Sequence, residues 1–231
     1  MTFQKMIWLY IKIFIKGFSI MDNNVFEYVR PEEIEKRSFE IITEELKEQG
    51  IILTGDTAPV IKRVIHTSAD FSYAQSLMFS PGAVEKARDL IRNGAHIVTD
   101  TNMALSGINK KKLSMYGGEV HCFMADEDVA REAKERGVTR ATVSMEHAAK
   151  LDGRIIFAVG NAPTALITLN QLIKDNVFIP DFIIGVPVGF VNVVYSKELI
   201  INGNVPYIVN RGRKGGSNIA AAICNALLYG M

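Results

Sequence analysis

The chain has 231 residues, 26 of them Lys or Arg against 25 Asp or Glu, a formal charge of +1 and a hydrophobic share of 48%. That length fits one domain and that apolar share excludes a disordered chain. The near balance of charge excludes a general field for nucleic acid or an acidic membrane, so any anion must be held by a local cluster.

Residues 1–20 are apolar and aromatic but interrupted by Lys5, Lys12 and Lys16. No run there approaches the roughly 18 apolar residues a membrane span needs, and no Ala-x-Ala-like cleavage site follows. This predicts an N-terminal extension, no stable membrane insertion, and a single domain over 21–231. Two cysteines, Cys122 and Cys224, lie far apart. They form neither a disulfide framework nor a metal knuckle, and are read as buried thiols in a reducing cytoplasm.

Pro31 to Gln49 has a helical pattern, with proline in the first turn, Glu32 and Glu33 behind it, and Gly50 as a stop. A shorter helical segment, Thr57 to Thr67, carries His66 near its end. Ser80-Pro81-Gly82 is read as the start of another helix, with Ser80 as its cap, ending at Asn93-Gly94. Five strand-like runs follow: His96–Thr99, Glu119–Met124, Arg154–Val159, Asp181–Val186 and Val205–Val209. Each precedes a helix-like stretch. Short β-branched runs alternating with helices indicate βαβ units, and the expected fold is α/β: a flavodoxin-like three-layer sandwich around a five-stranded parallel sheet.

Ligands of open parallel sheets bind beyond the carboxyl ends of the strands. Four loops should meet there: Asp100-Thr101-Asn102, Gly160 to Thr164, Pro187-Val188-Gly189, and Arg211 to Ser217. The last, RGRKGGS, puts three cations and three glycines before a helix. Glycines let backbone N–H groups approach a ligand, and arginine offers a fork that matches a carboxylate. The segment is an anion site without Walker A spacing. Asn161, ahead of Pro163, is read as a helix cap. No pair of the four histidines has the spacing of a metal site, so no metal is expected. On spacing alone, His66 is as well explained by a surface position as by catalysis.

Six blocks, taken together, are more specific than any one. Arg37-Ser38-Phe39, Arg63-Val64-Ile65-His66, Phe79-Ser80-Pro81, Gly160 to Leu166 (GNAPTAL), Gly185 to Val191 (GVPVGFV) and Arg211 to Ser217 occur in the order and spacing of the precorrin-8X methylmutase family. The chain resembles that family over about residues 25 to 228. Segment 1–20 is extra to the pattern.

The resemblance implies a homodimer that binds precorrin-8 or cobalt-precorrin-8. The reaction is a 1,5-sigmatropic shift of a methyl group from carbon 11 to carbon 12, giving hydrogenobyrinate or cobyrinate, with no cofactor. It makes His66 the catalytic residue. Protonating the ring nitrogen beside the migrating carbon would make the conjugated system electron-poor, and histidine is the side chain whose unperturbed pKa, near ~6.5, suits that task. It gives substrate contacts to Ser38, with Arg37 beside it, and to Asp100, Thr101, Arg140, Asn161, Thr164, Arg211, Arg213, Gly215 and Ser217. The alternative is a non-enzymatic corrinoid carrier on the same fold. An Ile-, Lys- and Asn-rich chain leans toward the cobalt-containing branch.

Overall fold

The computed structural model describes residues 27–231, which divide into two units, 27–38 and 39–231. The extension 1–20 lies outside the described residues. In the first unit a 3-10 turn, Pro31–Glu33, leads into helix α1, Ile34–Glu48, which continues into the second. Gly50, with φ +74°, ends the helix as its sequence predicts.

The rest runs α2 (Thr57–Ser68), α3 (Tyr73–Ser76), β1 (Leu77–Phe79), α4 (Ala83–Arg92), β2 (His96–Thr99), α5 (Asn102–Gly107), α6 (Lys110–Ser114) and β3 (Val120–His121). It continues with α7 (Glu127–Arg136), α8 (Arg140–Ala148), β4 (Ile155–Val159), α9 (Pro163–Lys174), β5 (Phe182–Gly185), α10 (Val193–Ile201), β6 (Tyr207–Asn210) and α11 (Ser217–Tyr229).

The sheet has six strands, in the order β1-β6-β5-β4-β2-β3, not the five expected. The five expected strands pair in parallel, and β1 adds itself antiparallel to β6, with Leu77 opposite Asn210 and Phe79 opposite Ile208. Leu77-Met78-Phe79 is too short to announce a strand by alternation. What fixes it is Ser80, whose backbone N–H donates to Tyr207 O at 3.0 Å and whose hydroxyl accepts from Tyr207 N at 2.9 Å. Ser80 therefore ends a strand pair and does not cap a helix. The following helix begins at Ala83, after Gly82 with φ +66°.

Successive strand residues face opposite sides, which builds two cores. Ile97, Ile156, Ala158, Phe182, Ile184 and Ile208 pack with helices α2, α4, α5 and α11. Val98, Ile155, Phe157, Val159, Ile183 and Val209 pack with α8, α9 and α10. Central strand β4, IIFAV, is buried at every position because both of its faces are covered. Among the described residues, no helix is long and apolar enough to cross a membrane. Cys224 is buried, and burial pushes its thiol up to about 12; Cys122 is only half-buried.

Candidate active site

At the carboxyl end of β2, Asp100 is fully buried. Its Oδ1 accepts from the backbone N–H of Gly160 at 2.8 Å, and its Oδ2 from those of Asn161 at 2.8 Å and Ala162 at 2.6 Å. The α9 N-terminus is thus served by a carboxylate from another loop. Asn161, expected as the cap, contributes only its backbone: the N-cap position is Ala162, with no side-chain cap. Burial pushes the Asp100 carboxyl above the usual range, and the three amides pull against it.

Next to it, Thr101 caps α5, accepting from Ala104 N at 3.1 Å, and its hydroxyl lies 2.7 Å from that of Ser217, the first residue of α11. The loops after β2 and β6 are joined there. The loop after β4 presses on the same spot, since a Cβ at Gly160 would stand 2.7 Å from Ser217 Cα. Gly216 N donates to Val186 O at 2.9 Å, and Gly189 N to Arg213 O at 3.2 Å. All four sequence-predicted loops therefore converge on one edge of the sheet.

Gly215, at φ +156°, sits so close to β5 that a Cβ would run into the Val186 carbonyl. Gly215→Ala is expected to push the loop off that carbonyl. Overpacking of this kind costs about 1–3 kcal/mol. The change should register as a lower Tm together with a raised KM for an acidic ligand. Unchanged values for both would show that the loop tolerates the displacement.

The three cations of this loop are used differently. Arg211 is exposed and its Nε donates to Glu198 Oε1 at 2.9 Å. Lys214 Nζ donates to Asp70 Oδ2 at 2.6 Å and Ser72 Oγ at 2.9 Å, which holds the Asp70 carboxyl below its usual range. Arg213 is exposed, and its guanidinium lies 5.4 Å from the ring centre of Phe190, itself 81% exposed.

His66 occupies the last turn of α2, exposed, its ring 5.2 Å from that of Phe39. The helix runs antiparallel to α11: Arg63 lies 5.4 Å from the ring of Tyr229 at one end, while Lys214, just before α11, reaches Asp70 beyond the other. The His66 end of α2 therefore points to the edge that carries the four loops. A cleft of about 510 Å³ opens along the same helix, lined by Phe39, Leu53, Ala58, Lys62, Arg63 and Tyr229 among others.

Arg140, exposed, is the first residue of α8. Its neighbour Thr139 caps that helix through Thr142 N at 3.2 Å and donates to Thr164 Oγ1 at 3.0 Å, so Arg140 and Thr164 stand side by side at the starts of α8 and α9. Arg37 and Ser38 belong to the first unit. Arg37 Nε donates to Glu27 Oε1 at 2.7 Å, and Ser38 Oγ to Ile34 O at 2.8 Å. Among the described residues, no three His, Cys, Asp or Glu side chains are grouped to hold a metal ion.

Sequence reasoning missed three residues that shape this edge. Thr139 looks like any polar residue before a helix. Asn210, fully buried, accepts from Ser76 Oγ at 2.7 Å and donates to Lys214 O at 2.8 Å. Lys197 is fully buried in α10.

A mostly parallel sheet that carries a basic glycine loop at its carboxyl edge, with an exposed histidine on a neighbouring helix, defines an α/β protein of the open-sheet class, whose ligand edge lies at the strand ends. Residues 33–230 match the model of the precorrin-8X methylmutase family, and the chain belongs to that family. It is 45% identical to the cobalt-precorrin-8 methylmutase of Priestia megaterium, covering 86% of this chain and 88% of the relative. It is 44% identical to the cobalt-precorrin-8 methylmutase of Salmonella typhimurium, covering 87% and 95%. The solved precorrin-8X methylmutase of Thermus thermophilus superposes with a TM-score of 0.78 at 39% identity, covering 86% of this chain and 95% of that one.

Proposed function

We propose that the chain is an isomerase of cobalamin biosynthesis, a methylmutase that moves a methyl group from carbon 11 to carbon 12 of precorrin-8 or its cobalt form, giving hydrogenobyrinate or cobyrinate. The observation that carries this reading is the family match across residues 33–230. The ion pair from Lys214 of the 211–217 loop to Asp70, four residues beyond His66, supports it. The names of the two curated relatives favour the cobalt form as substrate, the metal travelling as part of that substrate.

In this reading His66 lends a proton to the macrocycle nitrogen beside the migrating carbon and takes it back after the shift, so the residue is unchanged at the end of the cycle. The methyl group moves within one molecule and no electrons leave it, so no cofactor is required. Arg213, Arg211, Ser217 and the Gly215 amide hold carboxylate arms of the rim. Thr101, Thr164, Asn161 and Arg140 are contacts along the adjoining edge, and Ser38 and Arg37 are further contacts that the family resemblance implies. Asp100 acts one step back, by fixing the loop after β4.

Leaving out the antiparallel β1, the strand order numbered along the chain is 2-1-3-4-5, which supports a flavodoxin-like plan. Exposed Phe190, Val191 and Tyr195 support a homodimer, since contiguous apolar surface of this kind marks interfaces. We place the enzyme in the cytoplasm as a single domain over 21–231.

The test is to add precorrin-8, and separately cobalt-precorrin-8, to the purified protein and follow the visible spectrum. Conversion of either confirms the enzyme and identifies its substrate; tight binding without conversion of either would leave a carrier. Arg213→Ala should weaken product binding about tenfold at low salt and less at 0.5 M salt, because screening erodes a charge contact. Equal affinity for wild type and variant at every ionic strength would move the anion site elsewhere.

A further inference from the structure

Helix α10 grips the basic loop at two adjacent residues. Glu198 takes the Arg211 side chain from the outside. Lys197 works from below: fully buried, its Nζ donates to Gly212 O at 2.7 Å and to Lys214 O at 2.8 Å. Neither partner is a carboxylate. A buried ammonium is costly unless it is well ligated, and an aliphatic side chain of the same length would fill the space without that cost. The backbone it holds is unusual. Gly212 has φ +85°, Gly215 +156° and Gly216 +142°, so three residues of the loop lie where only glycine is at ease. Such a segment has no hydrogen-bond ladder of its own to define its shape. The carbonyls of Gly212 and Lys214 bracket Arg213, and the second also accepts from Asn210 Nδ2.

We propose that Lys197 is a positioning residue for substrate binding: by tying down the carbonyls on either side of Arg213, it fixes the loop in the form that offers Arg213 and the Gly215 amide to the acidic rim of the macrocycle. The inference rests on the methylmutase reading above. Lys197 does not touch the ligand. It turns the two carbonyls inward, away from the carboxylates they would repel, and leaves a positive charge beneath the loop. Burial lowers its pKa to about 8, so at neutral pH the ammonium form prevails.

Two variants and one measurement on the wild type test this. Lys197→Met keeps the length and removes the donors. It should raise KM about tenfold or more and leave kcat within about twofold, the pattern of lost binding with intact chemistry. Lys197→Gln, which keeps a neutral NH₂ donor group on a shorter stem, should fall between. Amide hydrogen exchange in 212–216 should quicken in both, while exchange in β4 and β5 stays slow. In the wild type, NMR of the 15N-labelled lysine ammonium groups should find the Lys197 protons protected from solvent and shifted on adding the corrin product. That holds whether or not the variants fold. A KM unchanged in Lys197→Met, or kcat and KM altered only in step with global unfolding, would overturn the proposal. So would a Lys197 ammonium that exchanges like a surface lysine or ignores the product. Absence of turnover by the wild type itself would instead overturn the methylmutase reading, and this one with it.

Discussion

Replacing His66 by alanine is expected to remove the methyl shift and leave the protein standing. The ring is exposed in the last turn of α2, and Phe39, which lies against it, is itself part of a larger cluster with Arg63. Surface substitutions of this kind change stability by no more than about 0.5 kcal/mol, or about 1–2 °C in Tm for a chain of this size. A positioned proton donor contributes about 10²–10⁴-fold to rate. The expected result is therefore a fall in kcat of at least about 100-fold, a Tm within about 2 °C of wild type, and product binding weakened by no more than about threefold, since the proposed carboxylate contacts are other residues. Steady-state assays, thermal unfolding and a titration with the product separate the three quantities. Turnover near the wild-type rate would assign the proton to another donor. A large Tm loss would show that the ring stabilises the helix end, and the fall in kcat would then say nothing about chemistry.

The parts of this arrangement that the sequence discloses are those with local signals. The strands β2 to β6 announce themselves as apolar runs because the central ones are covered on both faces, and the positions of the four loops follow from where those runs stop. The RGRKGGS loop is visible because cations and glycines between a strand and a helix have few structural uses, whereas His66, ambiguous on spacing alone, stands out only through the family resemblance. What stays hidden is pairing across long separations. Strand β1 is three residues long and exists because Ser80 and Tyr207, 127 positions apart, exchange hydrogen bonds. Asn161 looks like a cap because Asn before Pro commonly is one. The acceptor that serves that helix start, Asp100, lies 61 positions upstream of Asn161 and could not be matched to it by any local rule. Lys197 is the same case in reverse, a charge beside a charge in a helix, indistinguishable from a solvated pair until the loop at Gly212 and Lys214 folds over it.

Asp100 carries the largest expected stability effect. Its two oxygens serve three backbone N–H groups, and the residue is wholly out of solvent. Alanine there deletes the acceptor and leaves three donors without it, that of Gly160 fully buried and those of Asn161 and Ala162 partly so. An unsatisfied buried donor costs about 1–3 kcal/mol. Water entering the vacated space recovers part of that, and about 4 kcal/mol is the expected loss, a Tm lower by about 8–16 °C. Asparagine is the more informative replacement. It keeps the shape and one acceptor oxygen, but it turns an NH₂ toward at least one N–H, so its loss should be about half that of alanine. The functional consequence follows from position. Gly160, one of the three donors, would bring a Cβ to 2.7 Å from Ser217 Cα, so freeing the loop after β4 also frees the start of α11 and the Thr101–Ser217 contact. KM should rise in both variants, more in alanine, with kcat less affected, because His66 is carried by α2 and not by these loops. If Asp100→Ala instead melted within about 2 °C of wild type while losing substrate affinity, the carboxylate would be a direct substrate ligand and not the group that shapes the edge.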